Sequence, residues 1–107
     1  MDTGRAEILC KTTAEMANPF GLVQGGIIAG IMDNVIGPAS MTRAEGRRFV
    51  SVSMNVGYLK PARAGDVLRG VARVVKTGKI QMYVEGEITR EHDGETVARG
   101  TCINIFT

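Results

Sequence analysis

The chain has no tryptophan and a single histidine, and its 107 residues hold only two cysteines, two tyrosines and three phenylalanines. Each scarcity excludes something. The lone histidine, His92, lies in "EHDGE", a turn pattern between two strand-like runs, where a solvated side chain is expected rather than a base. A Ser-His-Asp triad is therefore not expected. Cys10 and Cys102 are far apart and form neither a CxxC pair nor a metal-ligand spacing, so they read as two small buried hydrophobes in a reducing compartment. Charge of one sign is also scarce. Thirteen basic and eleven acidic residues leave a net charge of +2, well short of a nucleic-acid-binding surface, though suited to a small anionic ligand. No P-loop or GxGxxG occurs, and "GRAEILCK" does not qualify as one. The uncharged stretch 16–32 includes Asn18, Pro19, Gln24 and four glycines, which rules it out as a membrane span. The opening "MDTGRAEILCK" is polar and lacks the apolar segment of a secretory signal, so a cytoplasmic location is expected.

What is present is ordinary for one globular domain, here taken as 1–107: 44% hydrophobic and 22% charged residues. The core of so short a chain is modest, which favours burial by oligomerisation.

The order of elements follows from periodicity. Residues 6–13 form a weak strand, and "NPFG" at 18–21 is a turn. Residues 24–43 carry the only long helical pattern, with Gly37-Pro38 expected to end its straight part. In "FVSVSMNVGYL" the period changes to two. It sets Val50, Val52, Met54 and Val56 on one face and Ser51, Ser53, Asn55 and Gly57 on the other. Strands then follow over 67–76, 80–91 and 96–107, joined by "TGK" and by the Asp-Gly hairpin signal in "HDGE". The sequence thus predicts an α+β domain: a five-stranded antiparallel sheet, or six with one more edge strand, packed on one long helix.

Asp33 is the anomaly of the helix. On a helical wheel Ile28, Ile31, Val35 and Pro38 lie opposite it, while Gly26, Ala29, Gly30, Gly37 and Ser40 share its side. Glycines within a helix each cost about 1 kcal/mol relative to alanine, so three beside one carboxylate imply a close approach there. The bland account is a packing seam for another element. A glycine-floored slot with one acid fits a reaction site better. At the helix start, "QGG" presents unobstructed backbone N–H groups at the positive end of the helix dipole, where a developing oxyanion would be stabilised. Gly25 and Asp33 are roughly 12 Å apart by helical rise, too far for one helix to place both on one carbon atom. A dimer with composite sites is therefore expected.

Three stretches, "NPFGLVQGGIIAGIMDNVIG", "VSVSMNVGYLKPARAGDVLRGVARVVKTGK" and "DGETVARGT", together resemble the PaaI-like branch of the hotdog-fold acyl-CoA thioesterases, from about residue 15 to the end. The resemblance implies the hotdog fold, a sheet wrapped around one long central helix. It also implies a homodimer with interface sites, commonly doubled into a tetramer, acting on acyl-CoA thioesters with no cofactor beyond the CoA of the substrate. By position, Asp33 would be general base or nucleophile and Gly25 N–H would polarise the thioester carbonyl. Asn18 would position substrate or water, and Ser51 would hold water near the partner's acid. The family usually has histidine where this chain has Gln24, which can hydrogen-bond but cannot take a proton near neutral pH. A hotdog hydratase, which would want an Asp-His pair near the helix, is disfavoured by the position of His92. Lys60 and Arg63, on the loop after "YL", are the cations selected to meet CoA phosphates. Two alternatives remain beside the hydrolase: a catalytically weak hotdog module that binds an acyl ligand, and a structural dimer whose small-residue stripe is only a seam.

Overall fold

The computed structural model describes residues 3–107; Met1 and Asp2, which begin the polar opening noted above, lie outside that range. The elements in chain order are β1 (Arg5–Lys11), a short 3-10 turn (Ala14–Met16), α1 (Gly25–Met41), β2 (Phe49–Tyr58), β3 (Val67–Thr77), β4 (Gln81–Arg90) and β5 (Thr96–Phe106). They form one five-stranded sheet in the order β1-β3-β4-β5-β2, antiparallel throughout. No sixth strand is present among the described residues. β2 and β3 follow each other in sequence but lie apart in the sheet. The loop at 59–66 carries the chain from beyond β5 to the other side.

Alternation explains the two faces. Leu68, Ala72 and Val74 of β3, and Met82, Val84 and Ile88 of β4, point inward and are buried. Arg69, Arg73, Glu85 and Glu87 point outward, where Arg99 meets Glu87 at 2.9 Å and Arg69 meets Glu91 at 2.7 Å. The helix lays Ile28, Ile31, Met32, Val35, Ile36 and Ala39 onto the inner face, over β1, β3 and β4. Burying each of the larger side chains is worth about 1.5–3 kcal/mol. Gly86 and Gly100 are cross-strand partners beneath this contact. A Cβ on Gly86 would sit on the Sδ of Met32, and one on Gly100 would lie 2.9 Å from the Asn55 carbonyl oxygen and 3.2 Å from the Met32 Cε. These glycines let the helix approach the sheet.

The helix runs past Pro38 to Met41, within the expected 24–43. The carbonyl that Pro38 leaves unpaired belongs to the exposed Asn34, where water can meet it. One expectation is corrected: β2 does not alternate regularly. Ser51 pairs with Asn104 but Ser53 pairs with Ile103, so Val52 is an extra residue, a β-bulge. Beyond it Met54 and Val56 face inward as read from the sequence, whereas Val50 and Val52 face solvent at 51% and 54% exposure. The bulge inverts the phase, and Ser51 shares the inner side with Asn104 and Cys102 rather than the outer side with Ser53.

Candidate active site

The helix start is held from several directions. Asn18 Oδ1 accepts the N–H groups of Phe20 at 3.0 Å and Leu22 at 3.2 Å, which closes the turn that the Asn-Pro pair predicts. Val23 N–H donates to the Ala62 carbonyl and Gln24 N–H to that of Met16. The loop at 60–66 is pinned in turn by Thr12, a fully buried hydroxyl at the end of β1. Its Oγ1 lies 2.8 Å from the Asp66 carbonyl and 3.0 Å from that of Arg63.

These contacts shape a shallow pocket at the N-terminus of α1. Ile28 and Val97 form its apolar floor, and Asn18, Gln24, Gly25, Tyr58 and Lys60 line the rest. The first-turn N–H groups of Gly25 and Gly26 precede the intrahelical bonds that begin when the Gln24 carbonyl accepts from Ile27 and Ile28. Tyr58 donates its hydroxyl to the Gly25 carbonyl at 2.8 Å. A Cβ on Gly25 would lie 3.3 Å from that ring, so glycine there also makes room for Tyr58. The Gln24 side chain is exposed and does not cap the helix. Asn18 lines the pocket with its oxygen already spent on the turn, so its amide N–H groups are the donors it has left. Lys60 sits at the mouth, 3.3 Å from Glu95. Arg63 is exposed beside it, its backbone bridged to Leu22.

Asp33 is not in this pocket. Its side chain is exposed on the open side of α1, where Gly26, Gly30 and Gly37 have nothing within 4 Å of where a Cβ would be. One chain therefore does not unite Asp33 with Gly25, as the helical rise required. Ser40 departs from the wheel assignment. It is buried, because β5 reaches this end of the helix through Asn104. Its hydroxyl donates to the Ile36 carbonyl at 2.7 Å and accepts from Asn104 Nδ2 at 2.8 Å, while Ser51 donates to Asn104 Oδ1 at 2.7 Å. Cys102 lies against the same pair, 3.6 Å from Ser51 Oγ and 3.3 Å from Asn104 Oδ1. Burial pushes the Cys102 thiol up, the Ser51 hydrogen bond opposes this, and the Asp33 charge pushes it further up.

Tyr58 and Asn104 were not singled out from sequence. The only signal for Asn104 is a carboxamide within the otherwise apolar "CINIF". His92 is a solvated turn residue, as expected, 3.7 Å from Asp66. No group of metal-ligating side chains occurs, and no helix is long and apolar enough to cross a membrane, among the described residues. A wider groove on the outer face of the sheet is lined by Arg73, Glu85, Glu87 and Arg99, which pair with one another, and contains none of the expected residues.

Residues 20–97 match the model of the thioesterase superfamily. Human acyl-coenzyme A thioesterase 13 is 31% identical over 96 residues, covering 88% of this chain and 69% of the relative. The Escherichia coli acyl-coenzyme A thioesterase PaaI is 30% identical over 98 residues, covering 92% and 68% respectively. The solved structure of the E. coli PaaI protein superposes with a TM-score of 0.93 at 27% identity, over 100% of this chain and 75% of that one. Zebrafish thioesterase superfamily member 2 does so with a TM-score of 0.94 at 25% identity, over 100% and 78%. The α+β architecture described above is the hotdog fold that these proteins share.

Proposed function

The chain belongs to the thioesterase superfamily as a PaaI-like thioester hydrolase, and we propose that it hydrolyses acyl-CoA to the free acid and CoA at composite sites between two copies. The observation that carries this reading is the separation within one helix: an open N-terminus at Gly25 and an outward carboxylate at Asp33 two turns on, with an uncovered glycine face around it. Two helices side by side bring the acid of one chain to the N-terminus of the other. The free edge of β2, ten residues long and showing Val50 and Val52 to solvent, offers the second copy a ladder to extend. A dimer of such dimers follows from the same resemblance.

The Gly25 N–H polarises the thioester carbonyl and holds the oxyanion. Asp33 takes a proton from water as it attacks, or attacks the carbonyl itself and is regenerated by water. Ser51 holds that water. Asn18 and Gln24 orient the substrate through side-chain amides, and Lys60 and Arg63 meet the CoA phosphates. The leaving thiolate needs no acid, since a thiol pKa near 8.5 makes it a good leaving group, and no cofactor enters the scheme. The test is release of free thiol from a panel of acyl-CoAs by wild type and Asp33→Asn. Equal rates would remove the acid from the mechanism. Gln24, standing where the family usually has histidine, favours a second reading as a slow acyl-ligand-binding module; saturable binding in calorimetry without turnover would support that instead.

A further inference from the structure

The polar chain beneath the sheet edge has a direction. It starts at the Ile36 carbonyl, which can only accept. Ser40 has one hydroxyl hydrogen and spends it there, at 2.7 Å. Toward Asn104 the Ser40 oxygen must therefore accept, which fixes the carboxamide with Nδ2 facing Ser40 at 2.8 Å and Oδ1 facing Ser51. Oδ1 can only accept; beside the weak Cys102 thiol at 3.3 Å its strong donor is Ser51, which commits its single hydrogen to it at 2.7 Å. Ser40 and Asn104 are fully buried, whereas Ser51 is exposed. Nothing in the buried part can rotate without leaving a polar atom unsatisfied in the core. Ser51 thus reaches the solvent side with lone pairs only.

We propose that Asn104 is a positioning residue for the thioesterase reaction, its carboxamide locked by Ser40 so that Ser51 is an obligatory hydrogen-bond acceptor for the attacking water. The inference rests on the reading of Asp33 and Ser51 given above. A water at Ser51 must donate one hydrogen to it. With its second hydrogen given to the Asp33 carboxylate of the partner subunit, both are committed and a lone pair is left for the carbonyl carbon. The proton passes to Asp33 as the carbon–oxygen bond forms, and the carbonyl electrons move to the oxygen held by Gly25. Were Ser51 free to donate, half of its orientations would engage the water's lone pair and misdirect it.

The test is a cycle of four enzymes: wild type, Asn104→Ala, Ser51→Ala and the double variant, with Ser40→Ala as an independent probe of the lock. We expect Asn104→Ala to lower kcat about tenfold with KM unchanged, as for the loss of one oriented hydrogen bond, and to have no further effect once Ser51 is alanine. Ser40→Ala should lower kcat severalfold and be equally silent in the Ser51→Ala background. An equal loss in both backgrounds, or wild-type kcat in Asn104→Ala, overturns the proposal. If Asn104→Ala fails to fold, Ser40→Ala and a second measurement decide. The side-chain amide of Asn104 should exchange slowly with solvent in nitrogen-15 spectra of wild type and Ser51→Ala, and quickly in Ser40→Ala. Rapid exchange in wild type sinks the lock. Full activity in Asp33→Asn would sink the underlying mechanism while leaving the amide measurement valid, so the two failures are told apart.

Discussion

The two sides of α1 have opposite relations to the rest of the chain. On one side Met32, Val35 and Ile36 are completely buried, and the glycines that matter, Gly86 and Gly100, lie in the sheet and have no spare volume. On the other side the glycines are in the helix itself, and Gly26, Gly30 and Gly37 face open space. Glycine in the sheet is explained by contacts this chain makes with itself. Glycine in the helix is not, although each such residue costs about 1 kcal/mol of helix stability. The side with unexplained glycines is also the side with the carboxylate. Stability resides on the closed face, and the proposed chemistry draws on the open one.

That division can be broken by experiment. The largest effect is expected on the open side: Asp33→Asn should lower kcat by roughly 10²–10⁴-fold, the usual worth of a general base, with an unchanged unfolding midpoint because the side chain is exposed. On the closed side Met32→Ala should cost about 2–5 kcal/mol in denaturant unfolding, through the cavity left under the helix. Gly100→Ala should cost about 1–3 kcal/mol by overpacking, since its Cβ would lie 2.9 Å from the Asn55 carbonyl oxygen. Gly30→Ala should do the reverse of both. A chain held as a monomer should gain about 1 kcal/mol of stability while thioesterase activity falls, and a stability gain with full activity would leave the open glycines without a role. The smallest effect concerns Cys102. Its thiol is raised in the fold, so the neutral form is favoured. The associated stability is present below the ordinary thiol pKa and declines as pH rises through the raised value. Alkaline unfolding of Cys102→Ser should show a shallower slope.

Much of this arrangement is legible from residue order because it rests on local rules. The turn at 18–21, the glycine entry to α1 and the alternation in β3 and β4 each follow from a few neighbouring residues. The acid's isolation from Gly25 follows from helical rise alone. What escaped depends on partners distant in sequence. The bulge at Val52 exists because Ser51 pairs with Asn104 and Ser53 with Ile103, and nothing within "FVSVSMN" marks it. Ser40 shares an azimuth with Asp33, yet β5 covers the helix at residue 40 and leaves residue 33 bare, a difference no wheel contains.

Thr12 joins two things that would otherwise have separate fates. It directly follows β1, a border strand zipped only to β3, and its buried hydroxyl also fastens the segment bearing Lys60 and Arg63. Border strands peel before central ones. When β1 peels on warming, the segment bearing Lys60 and Arg63 should loosen with it while the central strands stay intact; if those cations meet phosphate as proposed, affinity for that end of the substrate should fade at temperatures where the core is still folded.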